Sequence, residues 1–220
     1  ETGQSPDTML GEACRKVETV AGEWATYTAA NDLRRVRPIL LVQVEDKGGG
    51  SISRTNLDQV VETLRQHLPG LTPDEVVHCF GDDGDVQLRS GWRIARERPD
   101  AIEALDRVRV VLFKTALNTG WDCPRAEVMM SYRTANDPTL IAQLVGRMVR
   151  TPLAQRIPGN DTLNTAYLYL PFYDDERLDA VVRSLTSDAE GVPSEVVRER
   201  AVLETVPRAG SEQILAAISR

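Results

Sequence analysis

Two short apolar runs, Val108-Arg109-Val110-Val111-Leu112-Phe113 and Glu127-Val128-Met129-Met130-Ser131-Tyr132, constrain this chain more than anything else in it. Each is too short for a helix and rich in aliphatic side chains, which reads as a strand buried within a sheet. Between them stands a turn carrying Thr119, Gly120, Trp121 and Asp122. After them Asp137-Pro138 opens a helix, with Asp at the cap and Pro at the first helical position. That helix carries Gln143, Gly146, Arg147 and Arg150. At the helical repeat, Gln143, Arg147 and Arg150 fall on one face. Two guanidiniums and an amide there suit an anion with several oxygens, such as a triphosphate. A solvated basic face would explain the helix taken alone. The compound pattern resists that account, because a strand ending in T-G-x-D, a second strand and then Q-x-x-G-R-x-x-R is far more specific than either half.

On these residues the chain resembles the superfamily 2 helicases and translocases. Thr119-Gly120-Trp121-Asp122 looks like their motif V, and the segment from Gln143 to Arg150 like their motif VI. The wording A-L-N-T-G-W-D-C-P-R-A is most similar to the helicase subunit of type III restriction enzymes. The resemblance covers roughly residues 37–171 and implies the second RecA-like domain of a two-domain motor. The implied fold is α/β, a RecA-like parallel sheet flanked by helices, with additional helices at both ends. Its divisions are a helical connector over 1–36, the RecA-like domain over 37–172 and a helical extension over 173–220.

The resemblance also implies a division of labour. ATP with Mg²⁺ binds between the two halves of such a motor, and one half supplies the phosphate loop and metal box. Neither G-x-x-x-x-G-K-[ST] nor a D-E-A-H-like box occurs here, so the chain is expected to hold half of an ATPase site and to be inactive alone. Arg150 takes the place of the arginine finger, Arg147 also reaches the γ-phosphate, and Gln143 orients them or contacts the nucleotide. Asp122 would accept from a ribose hydroxyl, with capping of its own turn as the alternative, while Gly120 lets the backbone approach the nucleotide. Thr119, Lys114 and the Gly81-Asp82 pair are the implied nucleic-acid contacts. Lys114 departs from the Thr of many relatives, and a Gly-Asp turn alone says little. Trp121 and Cys123 read as packing. The implied partners are the first RecA-like domain of the same protein, DNA with RNA left open, and a restriction, modification or defence subunit. A RecA-like interaction module without catalysis, and the motor half of an excision-repair helicase, are the alternatives.

In chain order, 7–32 reads as a helix, either the connector between domains or a helix packed on its own sheet. Arg34, Arg35 and Arg37 precede Pro38 as solubilising punctuation or a phosphate rim. The aliphatic run Ile39-Leu40-Leu41-Val42-Gln43-Val44 reads as a parallel strand covered on both faces. Gly48-Gly49-Gly50-Ser51 is a linker by composition, a natural loop or an engineered join. Asn56 caps a helix that Pro69-Gly70 ends, and 75–80 forms the next strand. Arg89, Arg93 and Arg96, with Trp92 among them, are expected to share a face of a solvated helix, with base stacking the sharper alternative. A helix over 101–105 feeds the strand at 108. A strand follows at 165–171, then helices over 174–185, 194–205 and 211–218.

Composition sets limits on partners. A net charge of −7 argues against a general basic coat, though it leaves room for a narrow phosphate-tracking groove. Aromatic residues make up 5% of the chain, so the core is expected to be mainly aliphatic. Cys14, Cys79 and Cys123 form neither a C-x-x-C pair nor a Cys/His cluster, which favours no disulfide framework and no metal site. No apolar run reaches membrane-spanning length and no signal-peptide pattern opens the chain, so a cytoplasmic setting is expected. The sequence starts without Met, which suggests a fragment or a processed chain with Glu1-Thr2-Gly3 as a scar.

Overall fold

The computed structural model describes residues 5–47, 52–81, 84–114, 121, 123–133, 148, 152, 153 and 155–170. The helix expected to open at Asp137-Pro138, apart from Met148, the linker expected over 48–51 and the three helices expected after residue 173 lie outside them.

The first element, α1, spans Pro6–Ala30, with Pro6 in the opening turn where its missing N–H costs nothing. Leu10, Ala13, Cys14, Val17, Val20 and Trp24 recur at helical spacing and are buried together. The helix stops two residues short of the expected Asp32, which takes a left-handed φ of 50° and turns the chain away. Pro38 leads into β1, Ile39–Gln43, buried along its whole length. Next comes α2, Leu57–His67, whose first turn is capped by the Asn56 carboxamide oxygen accepting from the Gln59 N–H at 3.3 Å. Gly70, at φ 67°, carries the chain past its end. The strands that follow are β2 at Val76–Cys79, β3 at Val86–Gln87, β4 at Arg93–Arg96, β5 at Val110–Phe113, β6 at Ala126–Ser131 and β7 at Tyr167–Tyr169.

They form one seven-stranded sheet in the order β3-β4-β2-β5-β1-β6-β7. Every pairing is parallel except β3 with β4. This is the expected α/β architecture, a mostly parallel sheet with flanking helices, consistent with a RecA-like fold. Strand side chains alternate between two apolar layers. Leu40, Val42, Val76, Val110, Leu112, Val128 and Met130 face α1 and α2. Ile39, Leu41, Val77, Val111, Phe113 and Met129 face the other way, toward Ile102, Trp121, Cys123 and Met148. Burial on both faces is why these strands read as unbroken aliphatic runs rather than alternating ones.

Two local expectations are corrected. Residues 89–96 are not a helix. They are the end of a β-hairpin, with Val86 opposite Ile94 and Gln87 opposite Arg93. Gly91, at φ 86°, makes the reversal, and Leu88 N–H donates to the Trp92 carbonyl at 2.7 Å. Asp85 fixes the hairpin, accepting from Arg93 Nε and from the Arg96 N–H at 2.8 Å each. The three arginines therefore share no helical face, and Trp92 packs half-buried against the core. Likewise the expected helix over 101–105 is a 3₁₀ turn, Pro99–Ala104.

Candidate functional site

In open α/β sheets, ligands bind outside the carboxyl ends of the strands, where neighbouring connections diverge. Here that place is β1 and its two neighbours. From β1 the chain crosses one face through α2 to β2, while the stretches after β5 and β6 bring Trp121, Cys123 and Met148 under the other face. Gln43, the last residue of β1, cross-links the edge. Its Nε2 donates to the Lys114 carbonyl at 3.0 Å, its Oε1 accepts from Ser131 Oγ at 2.8 Å, and its carbonyl accepts from the Tyr132 N–H at 2.8 Å.

Of the expected site residues, Lys114 and Gly81 are described, and they come together. Lys114 leaves β5 at this edge, buried, with its ammonium 4.6 Å from the centre of the Phe80 ring. Gly81 directly follows Phe80 and takes a φ of 75°, a conformation that favours glycine and lets the chain reverse after β2. Thr119, Gly120, Asp122, Asp82, Gln143, Arg147 and Arg150 lie outside the described residues. Trp121 and Cys123 are fully buried, as packing residues should be. The Cys123 thiol donates to Glu103 Oε2 at 3.0 Å, and burial, then that carboxylate, raise its pKa far above the ordinary thiol range. It is no nucleophile.

Several residues at this edge escape a reading of the sequence. His78 is fully buried, its ring stacked on Phe80 at 4.5 Å. Its Nδ1 accepts from the Phe80 N–H at 3.3 Å, so in the neutral ring Nε2 carries the proton and donates to the Gly84 carbonyl at 3.0 Å. The imidazole thus braces the loop that starts at Gly81. Arg133 follows β6, with Nη2 3.3 Å from Asp46 and a buried Nη1 that has no hydrogen-bond partner among the described residues. A polar residue inside an apolar run, as in V-V-H-C-F, was the available signal for His78.

Beside this edge opens a pocket of about 460 Å³, walled by Asp7, Glu45, Thr55, Asn56, Gln59 and Tyr132. The Tyr132 hydroxyl donates to Asp7 at 3.1 Å, and burial and then the charge of Asp7 push the phenol well above its ordinary range. With Asp7 and Glu45 among its walls, the pocket is acidic and ill suited to phosphate. Cations follow the same strands in sequence, Lys47 and Arg54 after β1, Lys114 after β5 and Arg133 after β6. Among the described residues no group of three His, Cys, Asp or Glu side chains is placed to hold a metal ion, and no helix is long and apolar enough to cross a membrane.

No protein-family model matches the chain, and no curated protein is significantly similar to it.

Proposed function

We propose that the chain is the second motor domain of an ATP-driven DNA translocase resembling the helicase subunit of type III restriction enzymes. It supplies the arginine finger and part of the nucleic-acid groove. One observation carries this reading. The strands that precede the two motif segments, β5 and β6, flank β1 on either side and run parallel to it, so both segments leave the sheet at one edge. The stretches that contain Gly120 and Asp122, and Gln143, Arg147 and Arg150, thus follow in sequence two strands that end on either side of β1. Shared departure from one edge is what a composite nucleotide site requires. The phosphate loop and Mg²⁺ ligands belong, in this reading, to the first RecA-like domain of the same protein. The cations that follow β1, β5 and β6 in sequence, Lys47, Arg54, Lys114 and Arg133, are in this reading the groups that meet a phosphate backbone rather than base edges. The substrate is DNA, with RNA open on the same chemistry, and a restriction or defence subunit is the fitting partner. Three free, buried cysteines fit a reducing cytoplasm.

Fluorescence anisotropy with labelled single- and double-stranded DNA tests the groove. Binding by this chain should be weak, indifferent to sequence and steeply weakened by salt, and the salt slope should shrink by about one in Lys114→Ala or Arg133→Ala. Tight, salt-resistant, sequence-specific binding would contradict the reading.

A further inference from the structure

The pairing of β1 with β6 slips by one residue. Ile39 stands opposite Ala126, but Leu40 stands opposite Val128, so Glu127 is an inserted residue in a β-bulge. The Glu127 N–H is spent locally on the Arg125 carbonyl at 3.1 Å. With only 4% of its surface exposed, Glu127 accepts from Trp24 Nε1 at 2.7 Å, and Trp24 is itself fully buried. The pair lies where α1 meets the sheet, among apolar side chains. We propose that Glu127 and Trp24 form a proton-operated latch, in which the neutral acid holds α1 on the sheet and loss of its proton loosens the helix. This inference stands apart from the motor assignment.

The chemistry follows from the number of partners. A neutral carboxyl takes the indole N–H on one oxygen and has a single O–H to place, whereas a carboxylate offers about four acceptor sites and needs donors or water for them. A buried carboxylate with a single neutral donor bears a desolvation cost that the donor does not repay. Among the described residues no neighbouring charge steps in. On α1, Arg15 is paired with Glu12, Glu18 with Arg109, Glu23 accepts from Asn160, and Lys16 lies over the Tyr167 ring. β1 carries no ionisable side chain. On the near side of β6, Arg125 turns to Glu103 and to the carbonyls of Arg37 and Ile102. Beyond β7's Tyr167, whose hydroxyl reaches the Thr162 carbonyl, Asp161 is exposed and faces Arg156. Burial raises the Glu127 carboxyl from 4.5 to about 8, and the Trp24 hydrogen bond opposes the rise without cancelling it. Because the folded value exceeds the unfolded one, this stabilisation is complete below about pH 4.5 and is lost as pH climbs through about 8. The same helix contributes Asp7 to the pocket, where Tyr132 of the β6 exit holds it, so the latch lies in an element that shapes the pocket.

The test uses the whole chain. With ¹³C-labelled glutamate, one carboxyl signal should titrate near pH 8, be absent from Glu127→Gln, and move to higher pH in Trp24→Phe, which removes the donor that favours the anion. In urea unfolding, the folding equilibrium constant of the wild type should fall about tenfold per pH unit relative to Glu127→Gln across the window below pH 8. Comparison with that variant removes the contributions common to both proteins. Amide exchange around Trp24, corrected for intrinsic rate, should quicken above pH 8 in the wild type. Glutamate signals that all titrate below about pH 6 would overturn the proposal, even if Glu127→Gln fails to fold. Exchange in α1 that is unchanged from pH 6 to 9 would overturn the latch.

Discussion

Buried thiols make weak nucleophiles, since the thiolate must form without water around it. Burial pushes Cys14 and Cys79 each up to about 12, and Cys123 higher still. A thiol reagent at pH 8 should therefore react with native protein far more slowly than with urea-unfolded protein, which should release all three cysteines. Fast stoichiometric labelling of the native chain would contradict this burial. Gln43 offers a second residue-level test. Gln43→Leu keeps the volume but strips the Lys114 carbonyl of its donor and Ser131 of its acceptor. Leaving buried polar groups unpaired should cost about 1–3 kcal/mol, read from urea unfolding. Of these, the burial of Cys123 was legible in the sequence and the Gln43 network was not. A single Gln or His in an aliphatic run takes its meaning from partners across the sheet, and Gln43 stands some 70 residues from the carbonyl it bonds.

At the level of elements, α1 contains two glycines in different surroundings. Gly22 is open, and a Cβ there would meet nothing within 4 Å. Gly11 faces α2, and a Cβ there would stand 2.9 Å from His67 Nε2. Helix propensity alone favours alanine at both, so Gly22→Ala should stabilise by roughly 0.5–1 kcal/mol. Gly11→Ala should gain less or lose stability, because the imidazole has to move. In a His67→Ala background the alanine at position 11 should recover its helical gain. Thermal melts of the wild type, the three single variants and the Gly11→Ala/His67→Ala double variant check this coupling, and equal effects of both glycine substitutions would refute the close crossing. The elements were mostly readable in advance. Strands buried on both faces appear as unbroken runs, and Asn56 and Pro69-Gly70 bracket α2 by cap chemistry. The hairpin was misread because Arg89, Arg93 and Arg96 fall at helical spacing by chance. Ser90-Gly91 was the better signal, since a left-handed glycine between short segments reverses a strand. Pairing with Asp85, which settles the matter, is invisible until the hairpin has closed.

For the whole molecule, the account rests on one half of a composite site. A chain with no phosphate loop should bind ATP weakly and hydrolyse none, and robust turnover by the purified chain would refute the half-site reading. Sequence carried this claim further than the fold does. The T-G-x-D turn and the Q-x-x-G-R-x-x-R helix are specific as patterns, whereas a mostly parallel sheet hosts many activities. What the sheet contributes is that β5 and β6 flank β1 and run parallel to it, so that all three finish at the same end of the sheet. The most direct measurement is ATP turnover by the protein with its first motor domain attached, comparing wild type, Arg150→Ala and Arg150→Lys. A finger works chiefly in the transition state, where charge spreads onto the transferred phosphoryl group. Arg150→Ala should therefore lower kcat by about 10³-fold or more, with nucleotide affinity and thermal midpoint nearly unchanged. Arg150→Lys should recover little, because an ammonium lacks the planar fork of donors. Normal kcat in Arg150→Ala would contradict the account.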